Sequence, residues 1–432
     1  MNIPKLRFKD NNGNDYPQWN HSSFYNTFNF LSTNNYSRND MNSINGNIRN
    51  IHYGDILTKF NYIINTEKDI LPYLNDNIII KNLPNYIIQS GDIVIADTAE
   101  DYTTGKTCEI INSNNQLVVA GLHTMLCRPK QNIFALGFLG YFMNSNIYHN
   151  QLLPLITGIK VYSIIKKEII KTKISIPFIE EQKKIAKFLT TVDKKIENLA
   201  NTITSLENQK KGLLQQIFSQ KLRFKNENGN NYPDWEKKKL GQYINYKKGY
   251  AFKSELYTNK GIRIIRVSDL SATSIKNDSP IYISRSLYTN YLDWKLYTND
   301  IIITTVGSKP PIYDSMVGKV ILFPDNLPYK CFLNQNAVII RACTQVNQKF
   351  LYYTLSLNKY INHIKNILRG NANQANITLV DLFEYKIPLP CLEEQTKIAD
   401  FLSAFDRKLD NQKAQLEHWQ QIKKGLLQQM FV

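Results

Sequence analysis

The chain is poor in the features that mark secreted, membrane-spanning and metal-binding proteins. Its five cysteines are scattered over 432 residues, none lies in a Cys-x-x-Cys pair, and the six histidines show no metal-ligand spacing with them. The most apolar stretch, FALGFLGYFM from Phe134, has ten residues, whereas a bilayer span needs about 18. The N-terminus lacks the basic and then apolar pattern of a signal peptide. We therefore expect a soluble, cytoplasmic protein with buried free thiols.

Catalytic and cofactor-binding motifs are also missing. GKT at 105–107 resembles the end of a phosphate-binding loop, but Glu100 stands where that loop requires glycine. No glycine-rich cofactor turn follows a predicted strand, and KPPI at Lys309 lacks the flanks of an amino-methyltransferase loop. These absences favour a binding protein over an enzyme.

Acidic residues are scarce relative to basic ones. The chain has 53 Lys and Arg against 36 Asp and Glu, which gives a formal charge of +17 at pH 7. This balance favours a polyanionic partner, either nucleic acid or an acidic membrane surface. AT-rich coding, which enriches Asn, Ile, Lys and Tyr, would produce a similar excess without any ligand. With 43% hydrophobic residues, the chain can fill the cores of two or three domains.

The sequence contains a long internal repeat. KLRFKDNNGNDYPQW from Lys5 matches KLRFKNENGNNYPDW from Lys221 at eleven of fifteen positions. EEQKKIAKFLTTVDKKI from Glu180 matches EEQTKIADFLSAFDRKL from Glu393 at ten of seventeen positions, and KKGLLQQ follows in both halves. The offset of 213–216 residues is far too long for a solenoid repeat, so it indicates a duplicated domain.

The segments that begin at Glu180 and Glu393 are predicted to be helices of about 38 residues, or ~57 Å. Apolar residues recur at alternating steps of four and three, which is the period of a coiled-coil seam. Lys210 and Lys423 hold equivalent polar places, where they either set the register or extend toward solvent. The first seam contains Ile185, Leu189, Val192, Ile196, Leu199, Ile203, Leu206, Lys210, Leu213 and Ile217, and the second contains the equivalent residues from Ile398 to Met430.

The two seams are expected to pair as an antiparallel coiled coil, with the globular halves related by a pseudo-two-fold axis. The predicted fold class is α+β. It has a globular domain over 1–177, a helical spacer over 178–220, a second globular domain over 221–390 and a second spacer over 391–432. The N-terminal segment is expected to dock beside the C-terminal end and to complete the second half. KLRFKxxNGNxYPxW would then be a joint that is used twice.

Between the repeated segments the two halves diverge. Strands are predicted in GDIVIAD, QLVVAGLHTMLCRP, GIRIIRVSDL, NDIIITTVG, GKVILF and QNAVIIRA, and helices in IFALGFLGYFMNS and QKFLYYTLSLNKYINHIKNIL. Two unlike α/β domains in a basic chain suit a duplex DNA target with two separate parts. Phosphates would supply salt-sensitive affinity, and base edges would supply identity.

The chain resembles the specificity subunit of type I restriction–modification systems over nearly its whole length. The resemblance rests on KISIPFIEEQKKIAKFLTTVD, KIPLPCLEEQTKIADFLSAFD, both KKGLLQQ ends, GYAFKSELYTNKGIRIIRVSDL, FLNQNAVIIRA and NANQANITLVDL. It implies two target-recognition domains and two helical spacers, in a chain that is not catalytic and binds no cofactor itself. It also implies a bipartite double-stranded DNA target, two methyltransferase subunits that use S-adenosylmethionine to methylate adenine, and restriction subunits that use ATP and Mg²⁺.

Candidate DNA-contact residues lie in polar stretches beside predicted strands, since Asn and Gln suit adenine whereas Lys and Arg suit guanine or phosphate. The alternative for each is a turn cap or a solvated loop residue. The first domain offers Thr103, Thr104, Lys106, His123, Lys160, Tyr162 and Ser163. The second domain offers Lys253, Ser254, Lys309, Gln335, Asn336, Arg369, Asn373, Gln374 and Asn376. The last three lie about 213 residues after Lys160, Tyr162 and Ser163, so the two groups are at equivalent places in the repeat.

Candidate partner-docking residues are shared by both helices, are not needed in an apolar seam and are expected to be exposed; the alternative is plain helix capping. They are Glu181, Gln182, Lys184, Glu394, Gln395 and Lys397. Two other classes of protein stay open. One is a structural scaffold whose coiled coil joins two protein-binding modules, and the other is a self-sufficient nuclease or methylase, which the missing motifs oppose.

Overall fold

The computed structural model describes residues 4–113, 116–271, 274–309, 316–324, 330–371 and 374–431, with the backbone alone at Asn371 and Gln374. It divides into two compact units, of which unit 1 is Met1–Asn201 with Lys413–Val432 and unit 2 is Thr202–Gln412. The division falls within both long helices, whereas the sequence predicted boundaries at 177, 220 and 390. Asn373 lies outside the described residues.

Unit 1 is mixed α/β. Its strands are β1 (Asn20–Ser23), β2 (Phe28–Leu31), β3 (Met41–Asn42), β4 (Arg49–Ile51), β5 (Ile63–Asn65), β6 (Tyr73–Leu74), β7 (Ile93–Ala96), β8 (Thr98–Ala99), β9 (Thr107–Ile111), β10 (Val118–Ala120), β11 (Thr124–Pro129), β12 (Tyr162–Ser163) and β13 (Lys173–Ile176). Its helices are α1 (Phe24–Thr27), α2 (Tyr53–Thr58), α3 (Phe138–Met143), α4 (Asn146–Leu152), α5 (Lys166–Ile169) and the first part of α6 (Ile179–Phe218).

A five-stranded sheet in the order β2-β11-β7-β9-β5 forms the centre of unit 1. β7 is buried on both faces because its four residues are all apolar. Ile93 and Ile95 face a core that includes α3, while Val94 and Ala96 face a second core beside α2. A four-stranded sheet (β10-β4-β6-β3) and the pairs β1-β13 and β12-β8 complete the unit.

Unit 2 follows the same plan. Its strands are β14 (Glu236–Lys239), β15 (Ile244–Lys248), β16 (Tyr257–Thr258), β17 (Ile262–Ile265), β18 (Ile281–Ile283), β19 (Lys295–Leu296), β20 (Ile301–Thr304), β21 (Val306–Gly307), β22 (Val320–Leu322), β23 (Cys331–Leu333), β24 (Ala337–Ala342), β25 (Arg369–Asn371), β26 (Gln374–Asn376) and β27 (Lys386–Leu389). Its helices are α7 (Gln348–Thr354), α8 (Asn358–Ile367), α9 (Leu379–Phe383) and the first part of α10 (Leu392–Gln429). The last part of α6 also belongs to unit 2, and the last part of α10 belongs to unit 1.

The sheets of unit 2 are β15-β24-β20-β22, β16-β18-β17-β23-β19, β21-β26-β25 and β14-β27. β20 is the equivalent of β7, since Ile301 and Ile303 face one core and Ile302 faces the other. Each predicted stretch contains a strand or helix of the expected type. QLVVAGLHTMLCRP forms two strands, the helix expected over 133–145 covers only Phe138–Met143, and the helix expected over 348–368 is interrupted between α7 and α8.

The two long helices run antiparallel where they meet in each unit. In unit 1, Ile185 and Leu189 of α6 share a core with Leu427 and Met430 of α10. Further along α6, Asp193 pairs with Lys423. Residue numbers in α10 therefore fall as residue numbers in α6 rise, which is the order of an antiparallel pair. In unit 2, Ile217 and Phe218 likewise share a core with Ile398 and Leu402, and Lys210 pairs with Asp406.

The seam lysines therefore form two equivalent ion pairs instead of extending toward solvent. Asp193–Lys423 and Asp406–Lys210 are the same pair at equivalent positions of the repeat, and the Lys423 side chain is only 12% exposed. Tyr141 donates to Asp193 Oδ2 at 2.8 Å. A register-setting role agrees with this burial, because a slipped register would leave partly buried charges unpaired.

The repeated motif forms the same joint in both units. In unit 1, Arg7 Nε and Nη2 donate to the two carboxylate oxygens of Glu181 at 2.9 and 2.7 Å, and Trp19 Nε1 donates to Oε2 at 3.1 Å. Leu6 N donates to Gln429 O at 3.0 Å, which joins the N-terminal segment to the end of α10. The expected docking is confirmed, but the joint completes unit 1 and not the second half.

In unit 2 the joint is built from the equivalent residues. Arg223 Nε and Nη2 both donate to Glu394 at 2.9 Å, as does Trp235 Nε1. Leu222 N donates to Gln216 O at 3.1 Å, which is the counterpart of the contact at the end of α10. The arginine of KLRF and the tryptophan of YPxW thus bind the second glutamate of EEQ in both units.

Candidate nucleic-acid interface

In unit 1, predicted DNA-contact residues converge where β7 ends. β8 follows β7 directly and pairs antiparallel with β12, so that Ser163 lies opposite Thr98. The turn before β11 joins them, since Asp97 N donates to His123 O at 3.1 Å. This set of residues, which we call the first polar surface, comprises Thr103, His123, Lys160, Tyr162 and Ser163.

Thr104 lies beneath this surface. Its side chain is fully buried, and Oγ1 donates to Tyr162 O at 3.2 Å and to Asp101 O at 3.1 Å. The predicted DNA contact of Thr104 is wrong, because the hydroxyl holds the loop against β12 and presents no surface to a ligand.

Lys106 also has a structural role. Its Nζ donates to Phe60 O at 2.8 Å and to Leu57 O at 3.2 Å, and burial lowers its pKa. Lys319, at the equivalent position of unit 2, is 4% exposed and donates to Leu270 O at 2.7 Å. Both lysines thus satisfy backbone carbonyls inside their own unit, and a DNA contact of the partly exposed Lys106 stays a prediction.

We expect Lys106→Met to lower the free energy of unfolding of unit 1 by about 2 kcal/mol, because two partly buried carbonyl oxygens lose their donor. Lys160→Met, at an exposed lysine of the first polar surface, is the matched control and should change the free energy of unfolding by less than about 0.5 kcal/mol. Urea unfolding followed by circular dichroism measures both. Equal losses in the two variants would contradict the structural role of Lys106.

The structure adds aromatic and basic residues that the sequence did not single out. Tyr53 packs edge-on against His123 with ring centroids 5.2 Å apart, and His52 lies 4.6 Å from Tyr53. Arg38 reaches His52 Nδ1 at 3.3 Å. Tyr102 packs on Tyr162 at 4.7 Å. These residues come from short stretches that are far apart in the chain, and no sequence pattern predicts that the fold brings them together.

In unit 2, a second set of predicted residues converges at the equivalent place. β21 follows β20 and pairs with β26, with Val306 opposite Asn376, and β26 pairs with β25. Thr305 N donates to Asn336 O at 2.8 Å, which brings the turn before β24 to the same edge. This second polar surface comprises Lys309, Asn336, Arg369, Gln374 and Asn376, where Gln374 is placed by its backbone.

Lys253, Ser254 and Gln335 lie beside the second polar surface. Gln335 N donates to Tyr250 O at 2.9 Å, and the exposed Lys253 and Ser254 follow in the chain. Tyr250 belongs to a half-buried aromatic group, with its ring centroid 4.5 Å from that of Trp294. Aromatic faces beside amides and lysines are suited to nucleic-acid contact.

The two polar surfaces are structural equivalents with different side chains. Each is built from the short strand after a fully buried strand, and the strands that pair with it, β12 and β26, hold equivalent places in the repeat. The expected equivalence of the Lys160 and Asn376 sites is therefore confirmed. Their role in binding DNA stays a prediction.

Four of the six predicted docking residues are buried. Glu181, Gln182 and Glu394 are 0% exposed and Gln395 is 1% exposed. Gln182 Nε2 donates to Pro177 O at 2.9 Å, and Gln395 Nε2 donates to Pro390 O at 2.8 Å. The expected exposure of the EEQ motifs is wrong, because they bind the joint and the strand ends inside their units.

Lys184 and Lys397 are likewise used within the joints. Lys184 Nζ donates to Lys9 O at 2.7 Å, and Lys397 Nζ donates to Lys225 O at 3.0 Å. All six residues thus make contacts within their own unit that explain their repetition, and their role in partner docking stays a prediction.

Within the residues that the structure describes, no group of three or more His, Cys, Asp or Glu side chains has the arrangement of a metal site. Over the same part of the chain, no helix combines the length and the apolar character that crossing a membrane requires.

The sequence matches a model of the type I restriction modification DNA specificity domain twice, over residues 3–208 and 232–418. These two matches cover most of the chain, and the chain belongs to this family. The matched regions correspond to the two halves that carry the polar surfaces.

Two relatives come from Methanocaldococcus jannaschii. One is named as the specificity subunit of the MjaX type I restriction enzyme and is 27% identical over 385 residues, which cover 86% of this chain and 85% of that protein. The other is the MjaVIII type I restriction enzyme specificity subunit, 26% identical over 275 residues, which cover 62% of this chain and 64% of that protein.

The fold is similar to two solved structures. The crystal structure of the type I restriction–modification system S subunit from M. genitalium has a TM-score of 0.60 and 16% identity over 99% of both chains. A chain from a structural study of complex assembly and conformational transition in the type I R-M system has a TM-score of 0.53 and 17% identity, covering 96% of this chain and 98% of that one. Identities this low make the likeness one of fold alone.

Proposed function

We propose that this chain reads a bipartite double-stranded DNA sequence for a type I restriction–modification complex, with one half-site for each polar surface. The observation that carries the proposal is the pair of equivalent surfaces with unlike residues. One comprises a histidine, a lysine, a tyrosine, a threonine and a serine, and the other comprises amides, a lysine and an arginine. Equivalent position with different chemistry suits two half-sites of different sequence.

The partners in this proposal are two methyltransferase subunits and restriction subunits that act as motor and nuclease. The methyltransferases use S-adenosylmethionine to methylate adenine, and the restriction subunits use ATP and Mg²⁺. This chain is non-catalytic, binds no cofactor and works in the cytoplasm. The names of its relatives and the lack of catalytic motifs in its sequence support this division of roles. The mass of the purified complex measures the number of methyltransferase subunits.

The alternative is a scaffold that joins two protein-binding modules. The formal charge of +17 favours DNA over this alternative, because a scaffold has no need of cationic excess. The two functions also differ in a measurable property, because only DNA binding predicts an affinity that falls as the salt concentration rises.

We expect the complex of this chain with its methyltransferase to bind its target at least about a thousandfold more tightly than a duplex with one half-site scrambled. Log affinity should fall linearly with log salt, and Lys160→Met should make the slope shallower by about 1. Fluorescence anisotropy between 50 and 300 mM KCl, with a target found by methylome sequencing, measures both. An affinity that depends on neither sequence nor salt would favour the scaffold.

A further inference from the structure

The first polar surface carries a small loop whose shape is fixed by its backbone. Thr157 and Ser163 exchange two hydrogen bonds, from Thr157 N to Ser163 O at 2.9 Å and from Ser163 N to Thr157 O at 2.8 Å. Gly158 has a φ of +129°, and a Cβ there would lie 1.9 Å from Val161 O. We call residues 158–161 the loop tip; only glycine permits its tight closure.

The loop tip presents apolar side chains to solvent. Ile159 is 92% exposed and Val161 is 56% exposed, with Lys160 between them. A single exposed apolar residue needs no explanation, but two β-branched ones on a glycine-fixed tip indicate a contact made outside the unit. Both side chains are stiff, so such a contact orders few rotamers.

The equivalent stretch of unit 2 is chemically different. It also begins at a glycine with positive φ, Gly370 at +88°. The residues that follow in the sequence are Asn371, Ala372, Asn373 and Gln374, and none of them is β-branched. The two loops therefore share their place in the fold and differ in what they present. Such a difference is expected of two loops that meet different bases.

The surroundings of the loop tip are basic. Over residues 157–173 the chain has five lysines and one glutamate, and that glutamate, Glu168, pairs with Lys171 at 2.7 Å. The facing loop contributes Glu100 and Asp101, and the Asp101 carboxylate accepts from Thr103 N. This local cationic excess favours a polyanion over a protein as the occupant.

We propose that Ile159 and Val161 contact thymine methyl groups in the major groove of the half-site read by unit 1, while Lys160 contacts a phosphate. The proposal rests on the DNA-reading function proposed above. A thymine methyl is the one apolar group that a base pair shows in the major groove, and small apolar side chains recognise it.

The test removes the proposed contact in two ways, by shortening the protein side chain and by deleting the thymine methyl group. Ile159→Ala and Val161→Ala are made in the chain and studied in the complex with its methyltransferase. In the target, each thymine of the half-site is replaced by uracil in turn, which deletes the methyl alone. We expect each protein variant to bind the target at least about fourfold more weakly, the effect of one methyl-sized group.

The decisive result is the coupling between the two changes. At one thymine, uracil should weaken wild-type binding by about fourfold and leave the Ile159→Ala or Val161→Ala complex unchanged. Leu136→Ala is the matched control, because Leu136 is also an exposed apolar residue, 57% exposed. It lies beside Gly91, where its Cδ2 would be 3.6 Å from an added Cβ, and Gly91 precedes β7 whereas the first polar surface lies where β7 ends. This variant should bind both DNAs as the wild type does.

The other outcomes separate this inference from the proposed function. If wild type binds its target specifically but no uracil is coupled to either variant, the methyl contact is refuted and DNA reading stands. If the variants lose methyltransferase from the complex, as native mass spectrometry shows, the loop tip contacts protein. If wild type shows no sequence preference, the proposed function itself fails.

Discussion

Replacing residues 20–177 by the same region of a relative with a different target should change one half of the methylated motif completely and leave the other half as it was. The first polar surface lies wholly within the replaced region, whereas the second lies wholly within unit 2. Both joints stay intact, because Arg7, Trp19 and Glu181 lie outside the exchange. Methylome sequencing of a host that carries the chimera with its methyltransferase reads the motif.

The exchange must respect the core that the region shares with the helices. Phe138 and Phe142 pack in one cluster with Leu189 and Phe431, so the donor should keep apolar residues at both positions. The control is the reciprocal exchange of residues 236–390, which should change the other half alone. A chimera that is active but altered in both halves, or in neither, would contradict independent reading.

Glu181→Ala should release the N-terminal segment from unit 1. The Glu181 carboxylate is buried and accepts from Arg7 twice and from Trp19 once, so its loss leaves a largely buried guanidinium without a partner. Breaking such a pair costs about 3–5 kcal/mol. Since about 1.4 kcal/mol is a factor of ten, amide exchange over residues 4–19 should be at least a hundredfold faster.

Hydrogen–deuterium exchange mass spectrometry measures this release, and the chain offers two controls. Glu180→Ala removes the neighbouring carboxylate, which is half exposed and lies 3.7 Å from Lys183, and should leave residues 4–19 protected. Glu394→Ala should instead deprotect residues 221–235 in unit 2. Unchanged exchange over residues 4–19 in Glu181→Ala would show that the carboxylate does not hold the joint.

The long helices, the duplicated plan and the joint could be predicted because each leaves a signal along the chain. The seam from Ile185 to Ile217 keeps a heptad period, and KLRF occurs at both Lys5 and Lys221. Burial of the EEQ motif could not be predicted, because a glutamate in a first helical turn suits the helix dipole whether it is exposed or not. What decides its burial is Arg7, which comes from the far end of the unit's sequence.

The candidate site was predicted only in part for a related reason. The sequence next to a strand does not show whether a lysine ammonium faces solvent or binds a backbone carbonyl. Lys106 and Lys160 therefore look alike in sequence. Tyr53 and His52 were missed because they join His123 through the fold alone. The pairing of β8 with β12 places short segments from distant parts of the domain together, and such a long-range pairing has no local pattern.

The two joints differ in one respect that bears on how the protein can be divided. In unit 2 the chain runs without a break from α6 through Ser219 and Gln220 to Arg223, whereas in unit 1 the same contacts join two separate segments, from Leu6 to Gln429. The joint therefore forms whether or not its two segments are linked by the chain. A cut after Ser219, in an exposed stretch, would yield two fragments of nearly equal length. Each would carry one polar surface and one long helix, so the two could be encoded by separate genes and still assemble.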